Sequence, residues 1–128
     1  MGKPKVKWSN KGEKEDFDAA HKYLSLLTLD ASERALVRDL RKTRPSEHAA
    51  KDLLRAAQLP LLPRDEPHVD EDPKRIDKGK PLPHVPLVRR DIGRGAPLVV
   101  ADGYHRICAV IHFDESAPVS CRIVTLSR

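Results

Sequence analysis

The residues best placed to do chemistry stand in one short run, Asp102-Gly103-Tyr104-His105-Arg106. The apolar stretch Pro97-Leu98-Val99-Val100-Ala101 leads in, and Ile107-Cys108-Ala109-Val110-Ile111 leads out. A strand that ends in Asp-Gly and turns at once into a helix aims unsatisfied backbone N–H groups, and the positive end of the helix dipole, at whatever lies before the helix. Gly103 permits the tight turn and the close approach of a ligand. His105 and Arg106 add donors, and the Arg fork can grip two phosphate oxygens. Gly103, Tyr104, His105 and Arg106 are therefore the candidate binding residues for an anion, above all a phosphate. A purely structural reading is also concrete: Asp102 is the helix N-cap, His105 is satisfied by its neighbours, and Arg106 pairs with Asp114 or Glu115.

Other chemistries find less in the chain. His105 and His112 share a helix face but stand two turns apart, too far to ligate one ion side by side, and no residue is assigned as a metal ligand. Cys108 and Cys121 lack metal-type spacing and read as small, buried, reduced side chains. Lys78, Lys80, Arg89 and Arg90 are secondary phosphate candidates, each set against the alternative of a solvated surface charge.

Around this run, residues 104–113 are apolar nearly all round and predict a buried helix. Pro83 to Arg89 and Pro97 to Ala101 read as strands joined by a turn at 91–95, and 119–126 as a final strand after a loop at 114–118. The result is strand, hairpin, strand, helix, strand: a small mixed sheet with a helix over it. Upstream, Phe17, Ala20, Tyr23, Leu24 and Leu27 mark one helical stripe, and Ala35, Leu36 and Leu40 a second behind Ser32 as N-cap. Arg44-Pro45-Ser46 ends that helix and opens a third, with Ala49, Ala50, Leu53, Leu54 and Ala57 inward. Eight of the 11 prolines lie between Pro60 and Pro97, which excludes long helices there. Within that region Leu61-Leu62 suggests a short buried strand. His68 to Lys78 suggests an acidic-then-basic helix, with Asp70 and Glu71 near its start, that tolerates Pro73 only in its first turn.

The whole is expected to be an α/β (α+β) protein: a basic flexible arm (1–13), from which Val6 and Trp8 could reach back to the body, a helical extension (14–58), and a domain over 59–128 compact with it. Charged residues make up 34% and aromatics 4%, so the core must rest on Leu, Val, Ile and Ala. The net charge of +5 is concentrated early: residues 1–60 hold 13 Lys and Arg against 9 Asp and Glu. Lys3, Lys5, Lys7 and Lys11 all precede the first acid, so the excess reads as a tail able to add salt-sensitive affinity for nucleic acid. No apolar run approaches a membrane span and the N-terminus lacks a signal-peptide core, which points to a cytoplasmic protein with no membrane partner.

The blocks Pro83–Val88, Pro97–Ala109 and Val119–Val124 resemble the ParB/sulfiredoxin-like domain superfamily over about residues 60–126. In that superfamily the corresponding turn reads Gly-Glu-Arg-Arg in ParB proteins, Gly-Cys-His-Arg in sulfiredoxins and Asp-Gly-x-His-Arg in archaeal free serine kinases, all at nucleotide phosphates. Gly103, His105 and Arg106 match the sulfiredoxin pattern. The whole chain also looks like a group of short bacterial proteins that share runs such as Tyr23–Leu27 and Ala101–Arg106. The resemblance implies ATP or CTP with Mg²⁺ as ligand and NTP hydrolysis or phosphoryl transfer as a possible activity, with Asp102 the nearest carboxylate for metal or base duty. It also sets limits. Tyr104 stands where sulfiredoxins carry the nucleophilic Cys, with Cys108 one turn farther in, and Ile107 replaces the second Arg of ParB proteins. The alternatives are a non-catalytic nucleic-acid-binding module and a protein-interaction module that keeps the fold as scaffold.

Overall fold

A computed structural model describes residues 5–28, 32–90 and 96–126, without the side chains of Ser32, Asp70 and Glu71. The turn expected at 91–95, Lys3, and the capping and acidic roles expected of those three side chains lie outside what is described.

The chain is a mixed α/β protein. Its elements are β1 (Trp8–Ser9), α1 (Glu13–Ser25), α2 (Ser32–Lys42), β2 (Ser46–Ala49), α3 (Ala50–Ala57), α4 (Pro67–Asp77), β3 (Leu82–Pro83), β4 (Val85–Arg89), β5 (Val99–Val100), α5 (Tyr104–Phe113) and β6 (Pro118–Thr125). Four strands form a sheet in the order β2-β6-β4-β5, with β4 and β6 parallel and the outer pairs antiparallel. Short β1 and β3 pair separately, in parallel.

Side-chain alternation divides the core between the two faces of this sheet. Val85 and Leu87 of β4, with Val119 and Cys121 of β6, pack against α3, α4 and α5. Val88 and Val99 pack on the other face against Phe17, Ala20 and Leu24 of α1 and Leu36, Val37 and Leu40 of α2. Burial on both faces explains the unbroken apolar run of β4. Pro86 fits a central strand because its face of the ladder meets the end of short β5: its carbonyl accepts the Ala101 N–H at 3.0 Å, while β6 is served by neighbours such as Arg89, whose carbonyl accepts from Leu126.

Several local expectations change. Residues 46–49 form an edge strand on β6 (Ser46 opposite Cys121, Ala49 opposite Pro118), so α3 begins at Ala50 and the 14–58 segment is not wholly helical. Ser-Glu-His-Ala has little intrinsic strand preference; the open edge of β6 imposes the conformation. Leu61 and Leu62 form no strand: Leu61 is exposed, and the Leu62 N–H is directed at Cys108 Sγ, 3.5 Å away. α4 starts at Pro67 behind Glu66, whose side chain accepts from the His68 and Val69 N–H groups at 3.1 Å each, and it runs through Pro73 beyond its first turn. Tyr23, Leu27 and Ala35, expected in buried stripes, are exposed. The basic arm is docked from Val6 onward: Val6 and Trp8 pack on the core, and the Leu82 N–H bonds to the Lys7 carbonyl at 2.8 Å.

Candidate functional site

The β5–α5 turn is built much as the residue types require. Gly103 occupies the left-handed region (φ 90°) and is the N-cap of α5. A Cβ there would lie 2.9 Å from Arg106 Nη1 and 3.3 Å from Val85 Cγ1, so the left-handed backbone disfavours a side chain and the Arg106 guanidinium and Val85 would have to shift to admit one. Asp102 is not the cap: no side chain caps α5, and its first turn holds no acid. The helix start thus keeps the positive end of its dipole uncompensated by a side chain of its own.

The four candidate binding residues do not point to one place. The Tyr104 hydroxyl donates to the Pro60 carbonyl, and His105 Nε2 lies 3.6 Å from Glu66 Oε2 with its ring 5.1 Å from that of His68. Both side chains thus serve the contact of α5 with the 60–68 segment. Arg106 turns the other way. Its Nη1 donates to the Pro83 carbonyl at 3.3 Å and its Nη2 to Asp16 Oδ1 at 3.2 Å. The expected pairing with Asp114 or Glu115 is replaced by this long-range one, because the guanidinium faces α1.

Around Arg106 lies a cavity of about 700 Å³, lined also by Lys11, Gly12, Glu15, Asp16, Arg75, Lys80, Pro81 and Pro83. Four cationic side chains face two carboxylates. Gly12, left-handed at φ 89°, starts α1 at this cavity with no side-chain cap, and, unlike α5, the first turn of α1 carries acids, Glu13, Glu15 and Asp16. Of the secondary candidates, Lys80 reaches the cavity. Arg89 and Arg90 line a different groove beside His48 and Arg55, and Lys78 is the C-cap of α4.

Asp16 is the residue here that sequence reasoning missed. Its carboxyl is pushed up to about 6, chiefly by burial and then by the neighbouring Asp102 carboxyl; the Arg106 charge pulls the other way. Oδ2 of Asp16 is buried with no hydrogen-bond donor among the described residues. One turn earlier on the same helix face, Glu13 is gripped by Arg122 of β6, Nε to Oε2 at 2.6 Å and Nη2 to Oε1 at 3.1 Å. Arg122 also donates to Asn10 Oδ1 and to the Thr43 carbonyl. Buried His84 bonds to Ser120 Oγ at 2.7 Å, and burial lowers its pKa. The available signal was positional: Glu13 and Asp16 extend the buried Phe17–Ala20–Leu24 stripe, and polar groups in such a stripe need partners.

Neither cysteine offers a replacement nucleophile. Burial raises Cys108, and it pushes Cys121 up to about 12. Among the described residues no group of three or more His, Cys, Asp or Glu is disposed to hold a metal, and no helix is long and apolar enough to cross a membrane. Comparison with models of protein families, with curated proteins and with solved structures finds no match to this chain.

Proposed function

We propose that the chain binds a phosphate-bearing ligand, in the first instance a nucleotide with Mg²⁺, in the cavity at Arg106, and that residues 59–128 belong with ParB/sulfiredoxin-like domains. The observation that carries the reading is the convergence of Lys11, Arg75, Lys80 and Arg106 on one cavity of about 700 Å³. That volume lies within the range of small-molecule sites. The uncapped start of α5, from whose first turn Arg106 projects, supports it. In this reading Arg106 and the lysines hold phosphate oxygens, while Tyr104 and His105 fix the helix that carries Arg106. The proposal covers binding and names no reaction. A cytoplasmic setting belongs to it as well, supported by two free, buried cysteines.

Calorimetric titration with ATP, CTP and ADP in the presence of Mg²⁺ tests it. Arg75 and Lys80 are exposed, so Arg75→Glu and Lys80→Glu should leave the fold intact. Each reversal should weaken binding about tenfold or more, since two charges about 4 Å apart interact by about 1 kcal/mol even in water and reversal doubles the change. Absence of binding by the wild-type protein at millimolar nucleotide overturns the proposal. Binding that the reversals leave unchanged moves the site elsewhere.

A further inference from the structure

We propose that anion binding at Arg106 is coupled to the uptake of one proton by the Asp16–Asp102 carboxyl pair. This rests on the binding reading above and adds its regulation. Asp16 Oδ1 accepts from Arg106 Nη2 at 3.2 Å, while Oδ2 is buried with no donor among the described residues. The neighbouring group is another acid, the carboxyl of Asp102. Two neighbouring ionised carboxylates repel, and one guanidinium offsets one of the two charges. A phosphate or sulfate drawn to the same guanidinium adds a third negative group. A proton taken from solvent onto the pair removes one charge and supplies the donor that Oδ2 lacks, so ligand and proton favour one another.

A divalent cation is a poorer filler of the gap. Arg106 already occupies Asp16 Oδ1, and among the described residues no group of three or more His, Cys, Asp or Glu is disposed to hold a metal. The other ionisable groups nearby are Lys11 and Glu15 around the start of α1, Arg75 of α4, Lys80 after it, Glu13 of α1 with Arg122 of β6, and His84 between β3 and β4. His84, whose pKa burial lowers, and the half-buried His105 imidazole at the start of α5 are the nearby histidines that the test must separate from the pair.

Sulfate is the probe, because its own charge is constant over the range used. Its affinity is followed from amide shifts in isotope-labelled protein. Wild-type affinity should fall up to about tenfold per pH unit between about pH 6.5 and 7.5, the limit for one linked proton. In Asp16→Asn the change should be under about twofold, and His105→Gln should retain the wild-type slope. In the free protein, carboxyl-carbon titration should find Asp16 protonating at about pH 6, well above the usual carboxylate range. Sulfate binding with no pH dependence overturns the coupling and leaves the binding reading standing. No sulfate binding at any pH overturns the coupling, while the nucleotide titration decides the binding reading by itself. A slope that survives Asp16→Asn, or one abolished by millimolar Mg²⁺ seated on the carboxyls, also overturns the coupling.

Discussion

Replacing Asp16 by Asn should make the protein more stable at neutral pH, although it removes the charge from one side of an ion pair. The Asp16 carboxyl, normally near 3.8, is raised to about 6, first by burial and next by the adjacent Asp102 carboxyl, with the Arg106 charge opposing both. The folded protein therefore holds this proton more tightly than the unfolded chain does. Unfolding free energy falls as pH rises from about 4 to about 6 and is flat above that range. A rise of that size corresponds to at most about 3 kcal/mol, and a side chain this buried keeps most of it. Asn imitates the protonated acid: its oxygen can still accept from Arg106, and its amide can donate to Asp102, where Oδ2 now finds no donor. Urea unfolding of both proteins, followed by circular dichroism at about pH 4, 6 and 8, reads the difference directly. Taking the difference at each pH cancels the opposite trend from His84, whose depressed pKa removes stability as the solution is acidified. The variant should match wild type at the lowest pH and gain about 1–3 kcal/mol at the highest. A variant that loses stability at pH 8, with a deficit that does not shrink on acidification, would refute the reasoning.

Three further outcomes follow from the same geometry. Gly103→Ala should cost about 1–3 kcal/mol in denaturant unfolding, because a left-handed backbone and a 2.9 Å approach to Arg106 both oppose a side chain; a cost below about 0.5 kcal/mol contradicts this. Glu13→Gln should destabilise by about 3–5 kcal/mol, since it strands the buried Arg122 guanidinium without its counter-charge, and a shift in the unfolding midpoint measures it. Both thiols should resist a soluble disulfide reagent at neutral pH until the protein is unfolded, with Cys121 the slower; rapid labelling of either in the native state would show that the α5–β6 core opens readily.

The sequence was most legible where local signals agreed with the tertiary structure. Residues 104–113 are apolar enough to demand burial, and α5 occupies that range. The mixed sheet followed from two apolar segments joined by a turn and a third after the helix. It was least legible where distant partners set the conformation. Ser46–Ala49 became a strand because β6 offered an open edge, and nothing in those four side chains announces it. Asp102 looked like a cap because Asp before a helix usually is one; Gly103 takes that position, and Asp102 meets an acid 86 positions away in sequence. Arg106 was legible as the central cation of the site, whereas its partner Asp16 was not. Pairing across 90 residues leaves no local pattern beyond a polar residue in a buried stripe.

Whether a phosphate ligand sits among Lys11, Arg75, Lys80 and Arg106 is tested most directly by amide shift mapping during titration with ATP and Mg²⁺. Saturable shifts are expected at Gly12, Lys80 and the 103–106 turn, with Arg106 Nε–H moving as it exchanges Asp16 for phosphate. Shifts confined to the groove at His48 and Arg55, or none at millimolar ATP, would contradict a site at Arg106.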